Sequence, residues 1–149
     1  QMVNGKRGLP AFLTPNPGLH SGLMIVQYAA AAVVSLNKQL CTPASVDSIE
    51  SSASQEDHVS MGANAAVQAV QVLNNVWDVL GMEWLAACQA LELRGTPTSE
   101  LLQNLLDAFR TAVPFLNEDR IQAPDMADAT AFLKRIPVDD ERCFPALQQ

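Results

Sequence analysis

The stretch "VSMGANAAVQAVQVLNNVWDVLGMEWLAACQALELR", residues 59–94, decides the fold. Ala66, Val70, Leu73, Trp77, Leu80, Trp84 and Leu91 step along it by threes, fours and a seven. That spacing lines one side of an α-helix and makes the seam of a bundle. The other sides are hardly more polar, since the formal charges between Val59 and Leu93 are Asp78, Glu83 and Glu92, all acidic. At ~1.5 Å per residue the helix would be ~50 Å long, and apolar nearly all round. A chain of 149 residues cannot cover two long apolar helices on every side. Neighbouring chains, or more of the same chain, are expected to do so.

Upstream, "HSGLMIVQYAAAAVVSLNKQL" (20–40) is the other long apolar element, with Ser21 as a candidate cap and Pro43 as its stop. Its almost wholly apolar part, Gly22 to Leu36, holds Gln27 and is shorter than the roughly 20 residues that cross a bilayer. A buried helix is expected, not a membrane span. Residues 1–19 carry Gly5, Gly8, Pro10, Pro15, Pro17 and Gly18 and read as a loop lead-in, ordered or mobile. The Ser-rich segment 42–55 joins the two long helices, the second of which is expected from near Glu56 to about Arg94. Together they make a unit at 20–94. Residues 95–149 hold a helix capped by Thr98 or Ser99, with Leu101, Leu102, Leu105, Leu106 and Phe109 on one side and Pro114 ending it. A shorter helix after Pro124 and an irregular tail follow. The sequence has no convincing strand and no internal repeat, so the fold class is all-α.

Composition excludes several functions. The 9 basic and 16 acidic side chains give a net charge of −7, with no basic cluster, and nucleic-acid binding needs a concentrated Lys/Arg surface. Cys41, Cys88 and Cys143 are odd in number, far apart, and without a nearby histidine at ligand spacing. Reduced thiols in an intracellular protein are expected, with Cys88 buried in its helix, and no metal site. His20 and Ser21 adjoin, but neighbours in a starting helix point to different sides, which argues against a hydrolase pair.

The chemistry-bearing stretch is "SSASQEDHVSMG" (51–62). Its residues alone support two readings. Ser54 with Asp57 three residues on approximates a capping box, and Glu56 and Asp57 suit the positive end of a helix dipole. Alternatively, a carboxylate in a bundle cleft accepts a hydrogen bond from a nitrogen heterocycle or takes a proton in an elimination, with His58 titrating or orienting beside it.

"GLPAFLTPNPGLHSGLMIVQYAAAAVVSLNK" (8–38), "PASVDSIESSASQEDHVSMG" (43–62), "ALELR" (90–94) and, more loosely, "EDRIQAPDM" (118–126) resemble the C-terminal part of the histidine ammonia-lyase family of aromatic amino acid ammonia-lyases. The resemblance implies the helical ammonia-lyase (aspartase/fumarase-like) fold, a homotetramer with long helices bundled across subunits, and a cytoplasmic enzyme. It implies elimination of ammonia from L-histidine, giving urocanate, by a methylidene-imidazolone group formed from an internal Ala-Ser-Gly. No Ala-Ser-Gly occurs here; the nearest strings are "ASV" (44–46) and "ASQ" (53–55). The electrophile and the catalytic base are therefore expected in a preceding segment, and this chain alone is expected to be catalytically silent. Tyr28, the one tyrosine, reads as a packing residue.

By the same resemblance 42–55 is the active-site loop and Glu56 the substrate-binding residue, placed to meet the imidazole. Phenylalanine and tyrosine lyases usually lack that acid. Asp57 keeps a capping role, and Gln55 and His58 are structural or supporting candidates around Glu56. Ser54 stands where the family commonly has asparagine, and Glu50 where proline is usual. The alternatives are a phenylalanine or tyrosine lyase or aminomutase on the same scaffold, a non-catalytic helical assembly domain, and a membrane-associated bundle.

Overall fold

The structure, a computed structural model, describes residues 2–46 and 48–137. Cys143 and the expected irregular tail lie outside the described residues. Four α-helices follow in order: α1 (Met24–Leu40), α2 (Gly62–Arg94), α3 (Glu100–Arg110) and α4 (Ala123–Leu133). Among the described residues the β-structure amounts to isolated bridges, so the all-α expectation holds.

α1 begins two residues later than a Ser21 cap would place it, with Leu23 at the cap position and no side-chain cap. Instead the backbone N–H groups of Ser21 and Gly22 donate to the Asp119 carboxylate at 2.8 and 2.9 Å. A carboxylate from a distant segment thus satisfies the free donors at the approach to the helix. Gly22 is required there: its φ is +54°, and a Cβ would stand 2.4 Å from the Phe12 carbonyl oxygen. That closeness allows Leu23 N–H to donate to Phe12 O at 2.8 Å. α3 starts as expected, with the Ser99 hydroxyl accepting from Leu102 N–H. Gly95, left-handed at φ 63°, closes α2. α4 takes Pro124 into its first turn, where proline's missing N–H does no harm.

The core gathers around the C-terminal half of α2. Met82, Leu85, Ala86 and Cys88 pack with Leu106 and Phe109 of α3, Ala129 of α4, Val26 of α1 and Leu23 just before α1. Trp84, Phe109 and Phe132 form an aromatic cluster with centroids 5.3–6.1 Å apart. Where α4 crosses α2, Gly81 brings the backbones together; a Cβ there would lie 2.8 Å from the backbone nitrogen of Thr130.

The lead-in proves ordered and part of this core. Val3, Leu9 and Leu13 are buried, and the Gln89 side chain explains how a Pro- and Gly-rich segment is held. Its amide nitrogen donates to Leu13 O (3.2 Å) and Leu116 O (3.0 Å), and its oxygen accepts from Leu116 N–H at 3.1 Å. At 1% exposure such a group needs every partner it has. Around it, Arg110 pairs with Glu92, and Arg120 with Asp125.

α1 runs antiparallel to α2: its first turns reach the core, and near its other end Asn75 donates to Asn37 at 2.7 Å. Beyond Asn75 the start of α2 stands almost bare. Val67, Val70 and Leu73 are 58–60% exposed, and Ile25 and Tyr28 of α1 are more than half exposed. Ala66, Val70, Leu73 and Leu80 of the expected seam are thus uncovered in the single chain, while Trp77, Trp84 and Leu91 are half-buried.

Candidate functional site

Between α1 and α2 the chain doubles back on itself. The Ser48 hydroxyl donates to Val59 O (3.1 Å) and accepts from Val59 N–H (2.9 Å). Further in, Ser51 and Glu56 pair as an antiparallel bridge, and the Ser51 hydroxyl donates to Glu56 Oε2 at 3.3 Å. The tip is a 3₁₀ turn, Ser52–Ser54, with Gln55 N–H donating to Ser52 O at 3.1 Å. All three of its residues are left-handed, at φ 53°, 53° and 66°. For residues with a Cβ that conformation costs roughly 1–2 kcal/mol each, so the surrounding bonds must hold the turn. One of them runs from the Ser54 hydroxyl to Glu50 Oε2 at 2.8 Å.

This turn overturns the capping reading. α2 starts at Gly62, its N-cap Met61 is left-handed without a side-chain cap, and no acid lies in its first turn. The Ser54 hydroxyl is engaged with Glu50, and residues 57–61 return along the hairpin before any helix begins. Neither Ser54 nor Asp57 caps the helix, and Glu56 does not sit on its dipole.

Gln55, Glu56 and His58 are all exposed along the hairpin. Among the described residues the Glu56 carboxylate is bonded through Oε2 to Ser51, which leaves Oε1 to accept from a ligand. Gln55 extends the turn; His58 follows on the returning segment. Sequence reasoning missed the Asp119 and Gln89 contacts because each joins residues far apart in the chain.

A cavity of about 840 Å³ lies elsewhere, between the lead-in, α2 and α3, with Lys6, Arg7 and Arg94 beside Trp84 and Cys88. It offers no carboxylate, hydroxyl or imidazole. Burial pushes the Cys88 thiol up to about 12, against the smaller opposing pull of Arg110, so this free, buried cysteine is not a nucleophile. Among the described residues no cluster could hold a metal ion, and no helix is long and apolar enough to cross a membrane.

Residues 1–111 match the aromatic amino acid lyase family. The histidine ammonia-lyase of Deinococcus radiodurans is 56% identical over 119 residues, which are 80% of this chain and 23% of that protein. In three dimensions the chain is similar to the histidine ammonia-lyase from Trypanosoma cruzi, with a TM-score of 0.84 and 44% identity over 89% of this chain and 27% of that one. It is also similar to the phenylalanine aminomutase of Pantoea agglomerans, with a TM-score of 0.77 and 36% identity over 83% of this chain and 24% of that one. The chain spans about a quarter of the length of these relatives.

Proposed function

The chain belongs to the aromatic amino acid lyase family, and we propose that it is the C-terminal portion of a histidine ammonia-lyase, which eliminates ammonia from L-histidine to give urocanate. The observation that carries the reading is the Glu56 carboxylate, held out at a braced turn with one oxygen bonded to Ser51 and the other open. An imidazole N–H donating to that oxygen makes a charge-assisted bond. A phenyl ring in the same place would leave the carboxylate desolvated and unpaired. Glu56 thereby selects and orients the ring, while Gln55 and His58 keep a structural or supporting role beside it.

The methylidene-imidazolone of such enzymes supplies the electrophile. It forms from Ala-Ser-Gly, a tripeptide absent from these 149 residues, so no residue of this chain would hold it. What the chain's own residues contribute is binding and orientation, and alone it is expected to be silent. The bare apolar stretches of α1 and α2 call for cover by other subunits or by more of the same chain, and the assembly is read as a homotetramer from the family resemblance. The enzyme is read as cytoplasmic.

The likeness to a phenylalanine aminomutase favours one second reading, a lyase or mutase for another aromatic amino acid. Ammonia release from histidine, phenylalanine and tyrosine by the full-length protein separates the two. Selectivity for histidine that falls by about 100-fold or more with Glu56→Gln supports Glu56 as the ring's partner, because a charge-assisted bond is lost. Histidine activity that is absent, or indifferent to the substitution, refutes it.

A further inference from the structure

Among the described residues, Ser52–Ser54 is the one place where three consecutive residues with a Cβ are left-handed. Ser54 is the most telling of them. At φ 66° it adopts a conformation that glycine, and to a lesser degree asparagine, takes routinely and serine does not. Its hydroxyl makes the shortest hydrogen bond across the turn, 2.8 Å to Glu50, against 3.1 Å for Gln55 N–H to Ser52 O and 3.3 Å for Ser51 to Glu56. The bond ties the segment entering the turn to the residue just before Gln55 and Glu56. The direction in which the chain leaves the turn, and with it the aim of Glu56, depends on that tie.

Glu50 and Ser54 bond directly to each other across the turn. An asparagine at position 54 takes the left-handed conformation unaided. A serine there needs an acceptor, and Glu50 provides it.

We propose that Glu50 is a positioning residue for substrate recognition, holding the left-handed turn through Ser54 so that Glu56 faces the ring of the substrate. This rests on the reading of Glu56 as the substrate-binding acid.

The test is a set of variants in the full-length enzyme, with KM and kcat for histidine and the melting temperature measured for each. Glu50→Ala is expected to lower kcat/KM by about tenfold, mostly by raising KM, since a misaimed binding group weakens ground and transition states together. Glu50→Gln, which keeps an acceptor for the Ser54 hydroxyl, is expected to restore most of the loss. In a Ser54→Asn background, where the turn no longer needs the acceptor, Glu50→Ala is expected to change KM little. Unchanged KM in Glu50→Ala, or a lowered melting temperature with normal kinetics, overturns the positioning role. So does an equal KM effect in the Ser54→Asn background. Glu56→Gln tells the two failures apart: if it abolishes histidine activity while Glu50→Ala does nothing, the positioning role alone fails. If Glu56→Gln does nothing, both readings fall.

Discussion

Replacing Gly81 by alanine sets two physical effects of opposite sign against each other. Gly81 lies inside α2, where alanine is intrinsically better by about 0.8–1.0 kcal/mol. Helix propensity alone therefore predicts a more stable protein. The packing predicts the reverse. The added Cβ would meet Thr130 Oγ1 at 2.4 Å, its backbone nitrogen at 2.8 Å and its Cα at 2.9 Å. The hydroxyl could turn away, but two of the three atoms are backbone, so α4 itself must retreat from α2. Overpacking of this kind costs about 1–3 kcal/mol. Because the obstacle is main chain, the upper part of that range applies, and the net effect is a loss of about 1–2 kcal/mol. Urea denaturation followed by tryptophan fluorescence suits the question, since Trp84 lies one turn away and stacks on Phe132 of α4. The midpoint should fall, and adding Thr130→Ala should recover only part of it. A Gly81→Ala protein as stable as the parent, or more so, would show that α2 and α4 do not approach this closely.

Two further outcomes are expected. Gln89→Leu leaves Leu13 O, Leu116 O and Leu116 N–H without their partner in the core and should destabilise by about 3 kcal/mol, with earlier proteolysis of the lead-in. Asp119 is held below the usual carboxylate range, first by the Ser21 and Gly22 backbone donors. Because its folded value is depressed, its contribution to stability is present above about pH 4 and is lost as the pH falls through that lowered value. Asp119→Asn should flatten that part of an acid-unfolding profile, and an unaltered profile would remove Asp119 from the account.

Much of this architecture could be read from local pattern. α3 follows from Ser99, a leucine stripe and Pro114, all within one segment. The body of α2 follows from its spacing, and so does the need for neighbours around it. The start of α2 does not, because "SSASQED" imitates a cap while the Ser51 and Ser54 hydroxyls are spent on Glu56 and Glu50. Left-handed turns without glycine leave no compositional mark. The ordering of residues 2–19 was equally hidden, since it depends on Gln89, far along the chain. In the candidate site, Glu56 was identified by motif resemblance, not by spacing; its partner Ser51 and the Glu50–Ser54 tie required coordinates.

The bare first half of α2 has a mechanical consequence. The buried part of the helix begins at Gly81, and Gly62, where the hairpin ends, lies about 28 Å away along the axis. The helix is a lever with its fulcrum in the core. A tilt of about 2° at the fulcrum swings the far end by about 1 Å, a displacement large enough to matter to a group that must meet a ring. Substitutions beneath the fulcrum can therefore alter what the loop recognises without touching it, and whatever grips the lever along its bare length steadies Glu56.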